Sequence, residues 1–257
     1  MRLATKCEAK IPAGYTPPPP KPPGTLRLDL TEGLVDTSTV RRTLAGMKPN
    51  LWQRYPDSVE LERLLCKLWA LDDGSVLVTA GADEALDRVC RTFLKKGSAA
   101  LTARPGFSMI RHWIERAGGH CVEFGWTRRG FPMNEVVRLL RRGCSMVIVA
   151  TPNNPTGLVL EQEQLLQLAD ECLASGALLV LDAAYGEFAD SDATAELARR
   201  PGVVVVRTFS KAWALAGWRV GYCLARPELI ARMRAVGAPY PVAAPALKVA
   251  EQRVLRD

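Results

Sequence analysis

Three uninterrupted apolar runs do most to narrow what this chain can fold into: SMVIVA at 145–150, ALLVL at 177–181 and VVVVRT at 203–208. A strand with one face in water alternates polar and apolar residues. These runs do not, so both of their faces must be covered. Segments of helical length separate the runs, Glu161–Ala174 among them. The pattern predicts an α/β fold built on a mostly parallel sheet. The same alternation extends upstream, with strands expected at 75–79 (SVLVT), Ala99–Thr102 and Cys121–Phe124. Helices are expected at 58–70, where Leu61, Leu64, Leu65 and Leu68 keep helical spacing, and at 81–94, Ser108–Ala117 and Asn134–Arg141. Downstream, Gly221–Leu224 reads as a strand and Glu228–Ala235 as the start of a helix.

At 257 residues the chain has room for one large domain, or for one plus part of a second. Its net charge of +7 comes largely from scattered arginine pairs such as Arg128–Arg129 and Arg199–Arg200, not from one dense block. Nucleic acid is therefore not the expected partner, whereas an anionic ligand fits. Seven cysteines stand singly, without a CxxC pair, and the only histidines are His112 and His120. That excludes an ordinary zinc site and points to the reducing cytoplasm. No apolar run approaches the roughly 20 residues that span a bilayer, and no secretory leader is evident, so no membrane association is expected. The proline-rich stretch IPAGYTPPPPKPPG at 11–24 reads as a stiff, extended arm.

Five segments carry candidate chemistry, each at or near the carboxyl end of an expected strand, where open α/β sheets bind ligands. In TAGADE, Gly81, Ala82 and Asp83 open a helix whose amides could meet an anion, although a plain helix start reads the same way. In RPGFSM, Phe107 follows a Pro-Gly turn and could stack on a flat ring, or simply join the core. ATPNNPTG at 150–157 is first of all a turn, yet Asn154 is placed to donate to a phenolic oxygen. In LLVLDAAYGEF, Asp182 ends an apolar strand and Tyr185 follows; a buried carboxylate there needs a partner, which a protonated ring nitrogen or a metal could supply. No neighbouring ligands favour the metal. In TFSKAWALAGWR at 208–219, Lys211 offers an amine that can condense with an aldehyde. Thr208, Ser210 and Arg219 around it suit a phosphate.

In combination with RYPD at 54–57 and APYPV at 238–242, these strings resemble the fold-type I pyridoxal-phosphate (PLP) aminotransferases, class I/II, and within them the histidinol-phosphate aminotransferase branch. The resemblance runs from about residue 25 to 250. It implies a three-layer α/β/α large domain with an incomplete small domain, and PLP as cofactor. Lys211 would bind PLP covalently and shuttle the substrate proton, and Asp182 would pair with the pyridine nitrogen. Asn154 and Tyr185 would hold the ring's O3′ oxygen, and Phe107 would cover the ring. Gly81, Ala82, Asp83, Thr208, Ser210 and Arg219 would cradle the phosphate. Tyr55 would reach the phosphate of a partner subunit, which implies a homodimer. No metal is implied.

The reaction implied is amino transfer between an L-amino acid or amino-alcohol phosphate, L-histidinol phosphate among the candidates, and 2-oxoglutarate. A threonine-phosphate decarboxylase-like enzyme is the alternative, as is a PLP-binding relative of little activity. Two departures stand out. LDLTEGLVD at 28–36 replaces the family's Asn-Glu-x-Pro stretch and keeps only Glu32 at the acidic position. The chain also stops at Asp257, before the segment that supplies the arginine for the substrate carboxylate, so a C-terminal truncation is expected. The expected organisation is an arm at 1–24, an N-terminal small-domain piece at 25–50, the PLP-binding domain at 51–240, and the start of a C-terminal segment at 241–257.

Overall fold

A computed structural model describes residues 19–26, 28–34 and 36–256. Most of the proline-rich arm, and Cys7 with it, lies outside the described residues; its described end is exposed and belongs to no helix or strand.

The long apolar runs become the middle of a seven-stranded sheet. Its strands are β1 (Val76–Thr79), β2 (Ala99–Arg104), β3 (His120–Gly125), β4 (Met146–Ala150), β5 (Leu178–Asp182), β6 (Val203–Thr208) and β7 (Gly221–Ala225), in the spatial order β1-β7-β6-β5-β4-β2-β3. Strands β2 to β6 pair in parallel, and β7 runs antiparallel to both of its neighbours. The mostly parallel sheet read from the sequence is therefore present, with β7 as the one reversed strand.

Alternate residues of the apolar runs feed two separate cores. Val147, Val149, Leu179, Leu181, Val203 and Val205 face one side. Met146, Ile148, Leu178, Val180, Val204 and Val206 face the other. Fully burying each such side chain contributes about 1.5–3 kcal/mol, which is why a run of this composition seeks the centre of a sheet.

Helices cover both faces. On the first side lie α3 (Val59–Leu68), α6 (Met133–Leu140), α7 (Gln162–Ala174) and α8 (Thr194–Ala198), through Leu61, Leu65, Val136, Leu140, Leu168 and Leu197. On the second lie α4 (Gly81–Phe93), α5 (Ser108–Arg116) and α9 (Pro227–Val236), through Leu86, Val89, Ile110, Ile114, Ile230 and Met233. The result is the three-layer α/β/α arrangement.

Four helices were not legible as elements: α1 (Thr37–Ala45), α2 (Asn50–Gln53), α8 and α10 (Ala244–Val254). In α1 only Thr39 is buried, and Val40 and Leu44 form a short, partly buried apolar pair against the core. The start of α1 is set by Asp36, whose carboxylate accepts from the Ser38 N–H at 3.0 Å. Helix α10 packs against α1 and α3, and the Arg256 guanidinium reaches Asp36 at 3.7 Å. These contacts join segments far apart in the chain.

Candidate active site

The carboxyl ends of β1, β4, β5 and β6 come together because the sheet order places β7 between β1 and β6. Gly221, the first residue of β7, faces Thr79 on one side and Thr208 on the other. Asp182, the last residue of β5, lies between Ala150 and Val206. A cavity opens above this edge. Ala82, Asp83, Phe107, Asn154, Asp182, Tyr185, Thr208, Ser210, Lys211 and Arg219 all line it, with Ala150 and Ala184.

One end of the cavity is built to hold an anion. Helix α4 points its first turn into it, presenting amides and the positive end of the helix dipole. Thr208 Oγ1 lies 3.0 Å from Ser210 Oγ and accepts from the Ser210 N–H at 3.1 Å. Arg219 takes a left-handed backbone (φ 51°, ψ 54°) that turns its guanidinium inward. Its Nη1 donates to Ser210 Oγ at 3.2 Å, and its Nη2 donates to Asp83 Oδ2 at 3.4 Å.

Gly81 does not itself line the cavity. It lies behind Arg219, with φ +80°, and a Cβ there would stand 2.6 Å from Nη2 of that arginine. Gly221, which sequence reasoning passed over, is tighter still: its Cβ would meet the Gly81 carbonyl carbon at 2.5 Å and the Ala82 nitrogen at 2.8 Å. Backbone cannot yield as a side-chain tip can. Gly221→Ala is therefore expected to destabilise the protein by about 1–3 kcal/mol, the range for overpacking. Thermal unfolding is the check, and an unchanged midpoint would show that the two backbones part easily.

The other end holds an acid, an amine and two aromatic rings. Asp182 is buried and accepts from the Ala184 N–H at 3.1 Å. Among the described residues it has no ion-pair partner. Burial pushes its carboxyl up to about 6, with the charge of Asp83 adding to the rise and the Ala184 N–H and Lys211 opposing it. Lys211 Nζ lies 5.5 Å from the centre of the Tyr185 ring and donates to the Leu30 carbonyl at 2.7 Å. The stretch that departs from the family pattern thus crosses the cavity mouth. Thr31 Oγ1 is 3.5 Å from the Tyr185 hydroxyl, and Glu32 is exposed.

Phe107 immediately precedes α5 and packs against one of the two cores while lining the cavity. Next to Asn154, buried Asn153 donates through Nδ2 to the Pro105 carbonyl at 3.0 Å and to Thr156 Oγ1 at 2.7 Å. It ties the Phe107 loop to the Asn154 loop, a role hidden in a string that reads as a turn. Tyr55 stands apart from this cavity: it is 81% exposed, stacks on Tyr240 with ring centres 4.7 Å apart, and lines another cleft with Arg54, Asp57 and Lys248.

Among the described residues, no helix is long and apolar enough to cross a membrane, and no group of three or more His, Cys, Asp or Glu side chains could hold a metal ion. The arrangement can bind a flat, phosphate-bearing aldehyde: anion cradle at one end, ring face against Phe107, acid beneath, amine beside it.

Comparison with known proteins agrees with this chemistry. Residues 29–256 match the family Aminotransferase class I and II. The histidinol-phosphate aminotransferase of Aeromonas hydrophila is 36% identical over 214 residues, which are 82% of this chain and 59% of the relative. That of Ruminiclostridium cellulolyticum is 31% identical over 192 residues, 72% of this chain and 53% of the relative. The chain thus spans between half and three fifths of the length of these relatives. Among solved structures, histidinol-phosphate aminotransferase from Sinorhizobium meliloti in complex with pyridoxal-5′-phosphate superimposes with a TM-score of 0.81 at 24% identity, covering 88% of this chain and 63% of that one. L-threonine-O-3-phosphate decarboxylase from Porphyromonas gingivalis gives 0.74 at 24% identity, covering 86% and 66%. At such identities these two likenesses speak for the fold.

Proposed function

Because the chain belongs to the class I and II aminotransferase family, we propose that it binds pyridoxal phosphate and transfers an amino group from an L-amino acid or amino-alcohol phosphate to a 2-oxo acid. L-Histidinol phosphate and 2-oxoglutarate are the pair to try first. The observation that carries this reading is the meeting of Lys211 and Asp182 in one cavity whose far end is an anion cradle.

Two features fit the cofactor. Asp182 is a buried acid without an ion-pair partner among the described residues, and a protonated ring nitrogen would supply one. A Cβ on Gly221 would strike the Gly81–Ala82 backbone and one on Gly81 would strike the Arg219 guanidinium, so the first turn of α4 lies close beside Arg219 and Ser210. When bound, the cofactor supplies an electron sink for the bond broken at the substrate's Cα.

Each side chain then has a task. Ser210, Thr208, Arg219 and the amides of Ala82 and Asp83 hold the phosphate. Phe107 covers one ring face, Asn154 and Tyr185 hydrogen-bond the ring's O3′ oxygen, and Asp182 keeps the ring nitrogen protonated. Lys211 holds the aldehyde carbon at rest. Once freed by the incoming amine, it would take the proton from Cα and deliver it to the former aldehyde carbon.

Exposed Tyr55 is proposed to serve the phosphate site of a second copy, making a homodimer. Segments 25–50 and 241–257 are proposed as pieces of a smaller unit flanking the cofactor-binding region at 51–240; the packing of α1 on α10 supports this. The six cysteines among the described residues are free and buried, which supports a reducing cytoplasmic setting.

The experiment is spectroscopic. The PLP-loaded protein should absorb visible light, lose that band on adding L-histidinol phosphate, and regain it with 2-oxoglutarate. Light scattering on the same sample should give the mass of two chains. Release of CO2 from L-threonine phosphate would select the decarboxylase instead. A band that no amino donor alters would overturn the amino-transfer reading, and a monomer would overturn the dimer.

A further inference from the structure

The Tyr185 and Lys211 loops leave neighbouring strands, β5 and β6, and an ionic cluster around a buried arginine joins them. Arg207, next to last in β6, has a side chain only 1% exposed. Its Nη2 lies 2.8 Å from Glu187 Oε1 and its Nη1 lies 2.6 Å from Asp192 Oδ2. Nη1 also donates to Thr194 Oγ1 at 2.8 Å, and the guanidinium lies over the Trp69 ring at 4.6 Å. The same Glu187 Oε1 accepts from Trp213 Nε1 at 2.9 Å.

The geometry couples two catalytic loops through one oxygen atom. Glu187 is two positions beyond Tyr185, and Trp213 is two positions beyond Lys211. Gly186 lets the first loop lie directly on the guanidinium, since a Cβ there would stand 2.8 Å from Arg207 Nη1. Stability alone is a poor reason for such a cluster, because apolar side chains of equal volume often do as well in a core. What an apolar replacement cannot supply is a directional tie between two loop backbones. Trp213 is 8% exposed and packs on Phe209 at 5.1 Å, so its indole N–H has little freedom to turn elsewhere.

We propose that Arg207, Glu187 and Trp213 are positioning residues for the reactive amine. The Arg207–Glu187 pair sets the height of the Tyr185 loop over the sheet, and the Trp213 N–H on the same carboxylate oxygen registers the Lys211 loop against it. This inference rests on the cofactor reading given above. The step it governs is the condensation of Lys211 Nζ with the aldehyde carbon of PLP, in which a C=N bond replaces the C=O bond and the oxygen leaves as water with the two hydrogens of the neutral amine.

The test uses Trp213→Phe, which deletes the donor and keeps a buried ring, and Glu187→Gln, which keeps the shape and loses the charge. Two readouts are compared with wild type: the affinity for pyridoxine 5′-phosphate, which has ring and phosphate but no aldehyde, and the rate at which borohydride-fixable PLP appears on Lys211. The expected result is unchanged pyridoxine phosphate affinity and a condensation rate lower by about tenfold or more, as for losing a hydrogen bond to a charged acceptor. Wild-type rates in both variants would overturn the proposal. So would parallel losses of affinity and rate, which would mark a general disturbance of the fold. A wild-type protein that binds pyridoxine phosphate yet forms no adduct with PLP would overturn the cofactor reading, and this inference with it.

Discussion

Lys211→Ala is expected to abolish the borohydride-fixable adduct with PLP and to slow amino transfer at least about 10⁴-fold, since it removes both the covalent anchor and the group that moves the Cα proton. Among the described residues, Lys211 is the one lysine that lines the cavity. The anion end stays intact in the variant. Ser210, Thr208 and Arg219 hold one another through bonds that do not involve the lysine side chain. PLP should therefore still bind, reversibly, and wash out on dialysis. Borohydride labelling followed by peptide mapping is the measurement; a variant labelled to the wild-type yield would mean that another amine carries the cofactor. Loss of all PLP binding would show instead that the cradle depends on the lysine.

Asp182→Asn is expected to act in opposite directions on the free and the loaded protein. In the free protein, burial raises the Asp182 carboxyl from an ordinary 3.8 to about 6. The folded state thus holds this proton more tightly than the unfolded chain does. The associated stability is complete below about pH 4 and is lost as pH rises through about 6, when a charged carboxylate must stay buried. Over that window the loss is about 3 kcal/mol. Asparagine remains neutral and can still accept from the Ala184 N–H.

At pH 8 the cofactor-free variant should unfold several degrees above the cofactor-free wild type, and its melting temperature should lack the decline between pH 4 and 6. With PLP bound the order should reverse, because the protonated ring nitrogen loses its partner, and amino transfer should slow markedly. Melting curves across pH, with and without PLP, test both halves. Equal pH profiles for the two free proteins would show that Asp182 carries no buried charge.

The placement of Asp182 illustrates why so much of this site was readable along the chain. An acid that ends LLVL, a hydroxyl–lysine pair that follows VVVVRT, and a glycine that opens a helix after SVLVT are all local statements. Hydrophobic period fixes the strand, the strand's end fixes the edge of the sheet, and in a parallel sheet those edges coincide. Ten of the residues singled out from such strings line one cavity for that reason. Tyr55 and Gly81 do not, the one because it faces away, the other because it works through the space it leaves to Arg219.

Strand order and close approach were invisible, because nothing in a string records which distant backbone lies alongside. The reversal of β7 brings Gly221 against Gly81 and lets Arg219 reach Asp83 across 136 residues. The Leu30 carbonyl meets Lys211 across 181 residues, from a stretch whose sequence departs from the family pattern. Arg207 went unnoticed in VVVVRT, which read as an apolar run, yet it lies buried between Glu187 and Asp192. Short-range periodicity therefore settled the kinds of element and the chemistry each carries. Which of those elements touch, and so which groups share a charge or a hydrogen bond, came from packing between segments that only the folded chain brings within a few ångströms.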